Sequence, residues 1–314
     1  MTEIRAAVVG SGMMGPGIAV VLAAGGADTC LISRSTLGSQ RALSTSHRLL
    51  DQLQANDLIT AGDAAATRRR IRSTSGLKDG LDSAQLIVES IPEDLPLKQQ
   101  FFDQMSKLSS SDAILASNTS GLSITAIAER TAHPERVLTA HFWNPPHLMP
   151  LVEVVMGKKT SESVALKLVE WLRQCGKTPV LVKKDRPGQL GNRLQHALVR
   201  EAIYIVQQGI ASAEDVDLAV KRGFGLRLPA WGVFDHADAV GLNLVKAIQD
   251  YVLPDLSQEQ SASPLLNDMI ARGQSGHQAG QGFHDWSQHD MGARQSERDL
   301  FLIQFLKHLK ESGG

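Results

Sequence analysis

Residues 4–27, IRAAVVGSGMMGPGIAVVLAAGGA, decide the fold. The run from Ile4 to Val9 is apolar enough for a buried strand, and the stretch from Gly17 to Ala27 reads as a buried helix. Between them stand Gly10, Gly12 and Gly15, spaced G-x-G-x-x-G. At a strand-to-helix turn the first glycine permits the tight turn, the second lets a ligand approach the backbone, and the third lets helix and strand pack closely. Free N–H groups at the helix start face an anion, so the stretch reads as a cradle for the pyrophosphate of a dinucleotide. The apolar run is too short to span a bilayer. Reading it as a signal-peptide core fails too, since cleavage would delete the glycine turn that follows Glu3.

The next strand, Thr29 to Ser33, sharpens the ligand. A carboxylate at its end would bind a free ribose 2′-hydroxyl; here the chain continues Ser33-Arg34-Ser35. A guanidinium fork with hydroxyls suits a 2′-phosphate, so the expectation favours NADP, with NAD as the other possibility. Further strands are expected at Leu86–Glu89, Ile114–Ser117, Val137–His141, Leu151–Val155 and Pro179–Val182, with a helical hairpin over Thr36–Arg70 turning near Ile59–Asp63. Strands alternating with helices predict a Rossmann-type α/β fold: a largely parallel sheet with helices on both faces.

The strand pattern ends at Lys183-Lys184-Asp185-Arg186-Pro187-Gly188, and helical spacing follows at 192–208, 213–221, 243–251, 263–271 and 294–309. The expected domains are therefore 1–186, dinucleotide-binding, and 187–314, a smaller all-α domain. The length of 314 residues suits two domains. A net charge of -1 gives no general attraction for nucleic acid or acidic membrane, so neither partner is expected. Only Cys30 and Cys175 occur, without metal-site or disulfide spacing. A reducing, cytoplasmic setting and no metal are expected.

His141 ends one expected strand and Glu153 lies inside the next, twelve positions on, across the proline-rich NPPHLMP. Facing each other, they would form an acid/base dyad: the carboxylate fixes the imidazole tautomer, and the other ring nitrogen takes a hydroxyl proton.

The ordered motifs GSGMMGPGIA (10–19), VESIPEDLPLK (88–98), SNTSGLSIT (117–125), HFWNPPHLMPLVEVV (141–155), PGQLGNR (187–193) and GQGFHDW (280–286) resemble those of the 3-hydroxyacyl-CoA dehydrogenase family over about residues 4–286. The resemblance implies hydride transfer between a substrate alcohol, such as a 3-hydroxyacyl-CoA, and a nicotinamide cofactor, in a homodimer joined through the helical domain. It makes His141 the general base and Glu153 its orienting partner, with Ser120 and Asn192 bonded to the reacting oxygen and Asn144 supporting the histidine loop. It lays Met13, Met14, Glu93, Lys98 and Asn118 along the cofactor.

Other residues point away from the acyl-CoA branch. NPPHLMPLVE is similar to free-hydroxy-acid relatives such as L-gulonate and carnitine dehydrogenases. Arg227, in GFGLRLPAWG, could clamp a free carboxylate. Trp143, Trp231 and Phe234 could wall a substrate ring, or serve as ordinary packing. Arg68, Arg69, Arg70 and Arg72 are the local candidates for CoA, or a solvated face. A non-catalytic dinucleotide-binding role, as in lambda-crystallins, is the rival to catalysis.

Overall fold

In the computed structural model, residues 4–311 are described; the first and last three residues, Glu3 among them, lie outside the described residues. Eight strands, β1 (Arg5–Val9), β2 (Asp28–Ile32), β3 (Ile71–Thr74), β4 (Leu86–Glu89), β5 (Ile114–Ser117), β6 (Val137–Phe142), β7 (Leu151–Met156) and β8 (Thr178–Val182), form one sheet in the order β3-β2-β1-β4-β5-β6-β7-β8. β3 through β6 run parallel, β7 is antiparallel to β6, and β8 is parallel to β7. The reversal follows from chain length: the loop 143–150 is too short for a parallel crossover, which needs a dozen or more residues.

Seven helices interleave with the strands: α1 (Gly15–Ala24), α2 (Thr36–Ala55), α3 (Ala61–Arg70), α4 (Leu77–Leu81), α5 (Leu95–Leu108), α6 (Ile124–Ile127) and α7 (Glu162–Gln174). β1, β4 and β5 are almost wholly apolar because both sheet faces are covered; Ala6 and Val8 belong to one buried cluster, Ala7 and Val9 to another. α1 is buried over Gly15–Ala23, as its apolar run requires. β3 was not anticipated from the sequence. It is an edge strand with only Ile71 buried, so IRST carries no apolar signal.

Seven more helices follow among the described residues: α8 (Gly191–Gln207), α9 (Ala213–Arg222), α10 (Phe224–Arg227), α11 (Val233–Val240), α12 (Leu242–Val252), α13 (Pro264–Ala271) and α14 (Met291–Glu311). α10 and α11 lay outside the expected helices, since Gly223, Gly225, Pro229 and Gly232 break up their surroundings. Two compact units result. One holds the residues through Asn192 together with Glu297 onward; the other is Arg193–Ser296. In the first, Ile303 of α14 is buried against Val20, Ala23, Leu50, Leu53 and Ile71. In the second, α8 to α12 contain no buried residue, and Met269 is the one large buried hydrophobic among the described residues.

Candidate active site

The glycine turn has the geometry its spacing requires. Gly10 adopts φ +121°, and a Cβ there would lie 2.1 Å from the Ser90 carbonyl oxygen. A Cβ on Gly15 would lie 1.9 Å from the Gly10 carbonyl oxygen, so this glycine sets how closely α1 approaches β1. At Gly12 a Cβ would meet nothing within 4 Å; its space is open to a ligand. The turn lines a cavity of about 610 Å³ with Ile32, Ser33, Arg34, Ser90 and Ile91. α1 has no side-chain cap, and its first turn holds no acidic residue. The donors at its start therefore suit the pyrophosphate of a dinucleotide.

Met13 is 80% exposed beside this turn, while Met14 is half-buried and packs on the core. At the end of β2, the Ser33 hydroxyl pairs with that of Ser11 at 2.8 Å, and the Ser35 hydroxyl caps α2 by accepting from Gly38 N at 3.1 Å. Of the three groups expected to greet a 2′-phosphate, both hydroxyls are thus engaged. The Ser35 O–H, which only accepts here, still has its proton to donate, so it and the exposed Arg34 are both available to a 2′-phosphate.

Antiparallel pairing sets His141 directly opposite Glu153. The two side chains meet at 2.7 Å, Nδ1 to Oε2, with His141 5% and Glu153 0% exposed. Glu153 is saturated with donors: Oε2 also accepts from Trp143 Nε1 at 3.1 Å, and Oε1 accepts from the backbone N–H groups of Leu190 and Gly191, each at 2.9 Å. Burial raises its pKa, but the bonds from His141, Gly191 and Leu190 outweigh burial and hold it below the ordinary 4.5. An ionised Glu153 assigns the proton of the neutral imidazole to Nδ1 and leaves Nε2 as a base.

From this carboxylate a hydrogen-bond chain reaches the other expected residues. Gly191 begins α8; the next residue, Asn192, donates from Nδ2 to the Ser120 carbonyl at 2.9 Å. Ser120 N and Gly121 N donate to Glu93 Oε1 at 3.2 and 3.1 Å, and Thr119 Oγ1 donates to the same oxygen at 2.5 Å. Burial raises the Glu93 pKa, yet the Thr119 hydroxyl and the Lys98 charge lower it further, for a net depression. Glu93 is thereby an anchor for the loop carrying Ser120.

Lys98, expected along the cofactor, is 1% exposed and stands behind the cleft wall. Its ammonium lies 2.6 Å from Glu89 Oε1 and 3.4 Å from Glu93 Oε2. Sequence reading missed Glu89. This carboxylate also accepts from Ile91 N at 2.7 Å and from Ser117 Oγ at 2.6 Å, tying β4 to β5. Its only signal was an acid ending the apolar strand LIVE. Asn118 is likewise spent on support: Oδ1 accepts from Phe142 N at 2.8 Å and Nδ2 reaches Ser90 Oγ at 3.4 Å.

The loop between His141 and Glu153 exposes Asn144 and is held by Lys177, also missed, which donates to the Pro146 and Met149 carbonyls at 2.7 and 2.9 Å. Burial pushes the Lys177 pKa down to about 8. In the second unit Arg227 is exposed on α10, and Trp231 and Phe234 are 50% and 82% exposed. Of the arginine run, Arg68 is paired with Asp51 at 2.5 Å and Arg72 reaches the Asp79 carbonyl at 3.4 Å. Among the described residues, no cluster of three or more His, Cys, Asp or Glu could hold a metal, and no helix is long and apolar enough to cross a membrane.

Comparison with known proteins accounts for this architecture. Residues 5–186 match the NAD binding domain of 3-hydroxyacyl-CoA dehydrogenase, and residues 188–286 match its C-terminal domain. The chain is 34% identical to a 3-hydroxybutyryl-CoA dehydrogenase of Clostridioides difficile, over 90% of this chain and 100% of that one. It is 35% identical to the human mitochondrial hydroxyacyl-coenzyme A dehydrogenase, over 89% and 90%. A 5-formyl-3-hydroxy-2-methylpyridine 4-carboxylate 5-dehydrogenase of Mesorhizobium japonicum is 32% identical over 95% of both chains. A crystal structure of a dehydrogenase of that name, described as an NAD+ dependent dismutase, matches with a TM-score of 0.91 and 30% identity, over 98% of this chain and 99% of the other. The chain belongs to the 3-hydroxyacyl-CoA dehydrogenase family and is an oxidoreductase, a nicotinamide-dependent dehydrogenase acting on a hydroxyl group.

Proposed function

We propose that this chain interconverts an alcohol and a carbonyl with His141 as acid/base and Glu153 as its orienting partner. The observation that carries the reading is the buried 2.7 Å contact between His141 Nδ1 and Glu153 Oε2. With Nδ1 committed to the carboxylate, Nε2 takes the hydroxyl proton as the alcohol is oxidised and returns it in the reverse direction. A nicotinamide dinucleotide, held at Gly10, Gly12, Gly15 and the start of α1, supplies the hydride acceptor that no side chain can provide. An amide has two N–H bonds, and Asn192 spends one on Ser120. The second, with the Ser120 hydroxyl, is assigned to the reacting oxygen, where negative charge grows during carbonyl reduction. Met13, Met14 and Ser33 border the cofactor cleft; Glu93, Lys98 and Asn118 act by fixing the loops around it; Asn144 belongs to the histidine loop.

The substrate proposed first is a free, ring-bearing hydroxy or hydroxymethyl acid without CoA. It is supported by the likeness to the pyridine carboxylate dehydrogenase, which spans nearly the whole of both chains. Arg227 is the candidate for the free carboxylate, and Trp231 and Phe234 for the ring. A 3-hydroxyacyl-CoA is the second reading, supported by the names of the Clostridioides and human relatives. For the cofactor, the matched domain and the dismutase are described with NAD. A preference for NADP rests on Arg34 at the cleft.

The division into a dinucleotide-binding part, 1–186, and a helical substrate and dimer part, 187–314, belongs to the same proposal. Exposed Leu194, Leu198, Leu218, Leu244 and Ile248 on helices with no buried residue support a homodimer through the second part. Cys30 and Cys175 are free thiols, which suits the reducing cytoplasm. Nucleotide reduction measured with a panel of aromatic hydroxymethyl acids, linear 3-hydroxy acids and 3-hydroxyacyl-CoA thioesters tests the activity and ranks the substrates. His141→Ala should abolish turnover while cofactor still binds; full turnover in that variant would remove His141 as the base, whereas cofactor binding by the native protein with no turnover across the whole panel would return it to a binding role.

A further inference from the structure

We infer that Trp143 is a positioning residue for the reaction: its indole N–H shares Glu153 Oε2 with His141 Nδ1 and so limits how strongly the carboxylate holds the imidazole proton. The inference rests on the dyad reading above. Trp143 Nε1 stands 3.1 Å from Oε2, the oxygen that receives Nδ1 at 2.7 Å. The Trp143 ring also packs beside the imidazole, centroids 5.5 Å apart. Its other flank is fixed by Gly191, where a Cβ would come within 2.4 Å of the indole. The ring is therefore wedged between the base and the start of α8, with its one polar atom aimed at the carboxylate.

The remaining donors to Glu153 are the Leu190 and Gly191 backbone N–H groups, on the other oxygen. Across the sheet Glu153 faces Val180 of β8. His141 and Glu153 are thus the only titratable groups in this set of contacts, and Trp143 is the neutral donor placed to temper their pull on each other. Two donors on one carboxylate oxygen divide its electron density. Each weakens the bond made by the other, and the effect is large where water is excluded.

Trp143→Phe removes the N–H and keeps a ring against Gly191 and His141. With Oε2 given wholly to Nδ1, the protonated imidazole gains stability. The acid limb of the kcat/KM profile for alcohol oxidation should then move up by about 0.5–1 pH unit, the rate on the plateau changing far less. A variant whose rate falls equally at every pH, with the limb unmoved, overturns the proposal by leaving Trp143 only a packing role. A profile with no His141-dependent limb in the unmutated enzyme would instead refute the dyad itself, so the two failures are separable.

Should Trp143→Phe not fold, the unmutated protein supplies the readout. The chain has four tryptophans, and single replacements of Trp171, Trp231 and Trp286 assign the Trp143 indole N–H signal in a nitrogen-15 spectrum by elimination. That signal should shift with pH at the midpoint of the acid limb, and a signal flat through the midpoint overturns the proposal.

Discussion

Replacing Glu153 by Gln perturbs the site through one atom and separates packing from chemistry. The native carboxylate is fully buried and accepts from His141, Trp143, Leu190 and Gly191. A Gln keeps one carbonyl oxygen with two lone pairs, and its NH2 group must face the other two donors. If the oxygen stays with Leu190 and Gly191, the NH2 points at His141 and Trp143. It then forces Nδ1 to accept, so the ring proton sits on Nε2, the wrong nitrogen for a base. The Trp143 N–H and the second N–H of the amide are then left facing each other without acceptors, at about 1–3 kcal/mol each, so urea denaturation should show a loss of about 2–6 kcal/mol. At a pH where the variant is folded, the oxidation rate followed by nucleotide absorbance should drop by about 10²- to 10⁴-fold. The reasoning is refuted by a folded Glu153→Gln enzyme within about threefold of the native rate.

The same variant bears on acid stability. The Glu153 pKa is depressed below 4.5 in the folded chain, so ionised Glu153 contributes stability that is complete above the unfolded-state value and lost as pH falls through the folded one. Glu153→Gln should flatten that loss below pH 4.5, a change visible in denaturation midpoints taken across the acid range.

Three further outcomes are expected. Gly12→Ala meets nothing in the protein and should keep its melting temperature while weakening cofactor binding by about tenfold or more; Gly15→Ala, 1.9 Å from the Gly10 carbonyl, should lose both stability and binding. Lys98→Met leaves Glu89 buried without its cation and should cost about 3–5 kcal/mol, with the Lys98→Met and Glu89→Gln double variant recovering part of it; a loss under about 1 kcal/mol in the single variant would contradict the buried pairing. Arg34→Ala should weaken NADP binding more than NAD binding by about tenfold in calorimetry, and equal losses would remove Arg34 as the phosphate partner.

The sequence by itself determined the sheet-and-helix alternation and the glycine turn, because these rest on neighbouring residues. An apolar run fits a strand buried on both faces, and Gly10, Gly12 and Gly15 carry their steric roles wherever a strand runs into a helix. The facing of His141 and Glu153 was legible for the same reason: eight residues between two strands permit little except a reversal. Only the tertiary structure decided what the long-range partners do. Trp143 and the start of α8 converge on Glu153, Lys98 is swallowed by Glu89 and Glu93, and the Ser33 and Ser35 hydroxyls bond with Ser11 and Gly38. No local pattern announces such contacts. A hydrogen bond depends on a distance and an angle between groups far apart in the chain, and those are set only when the sheet order and the loop paths are settled together.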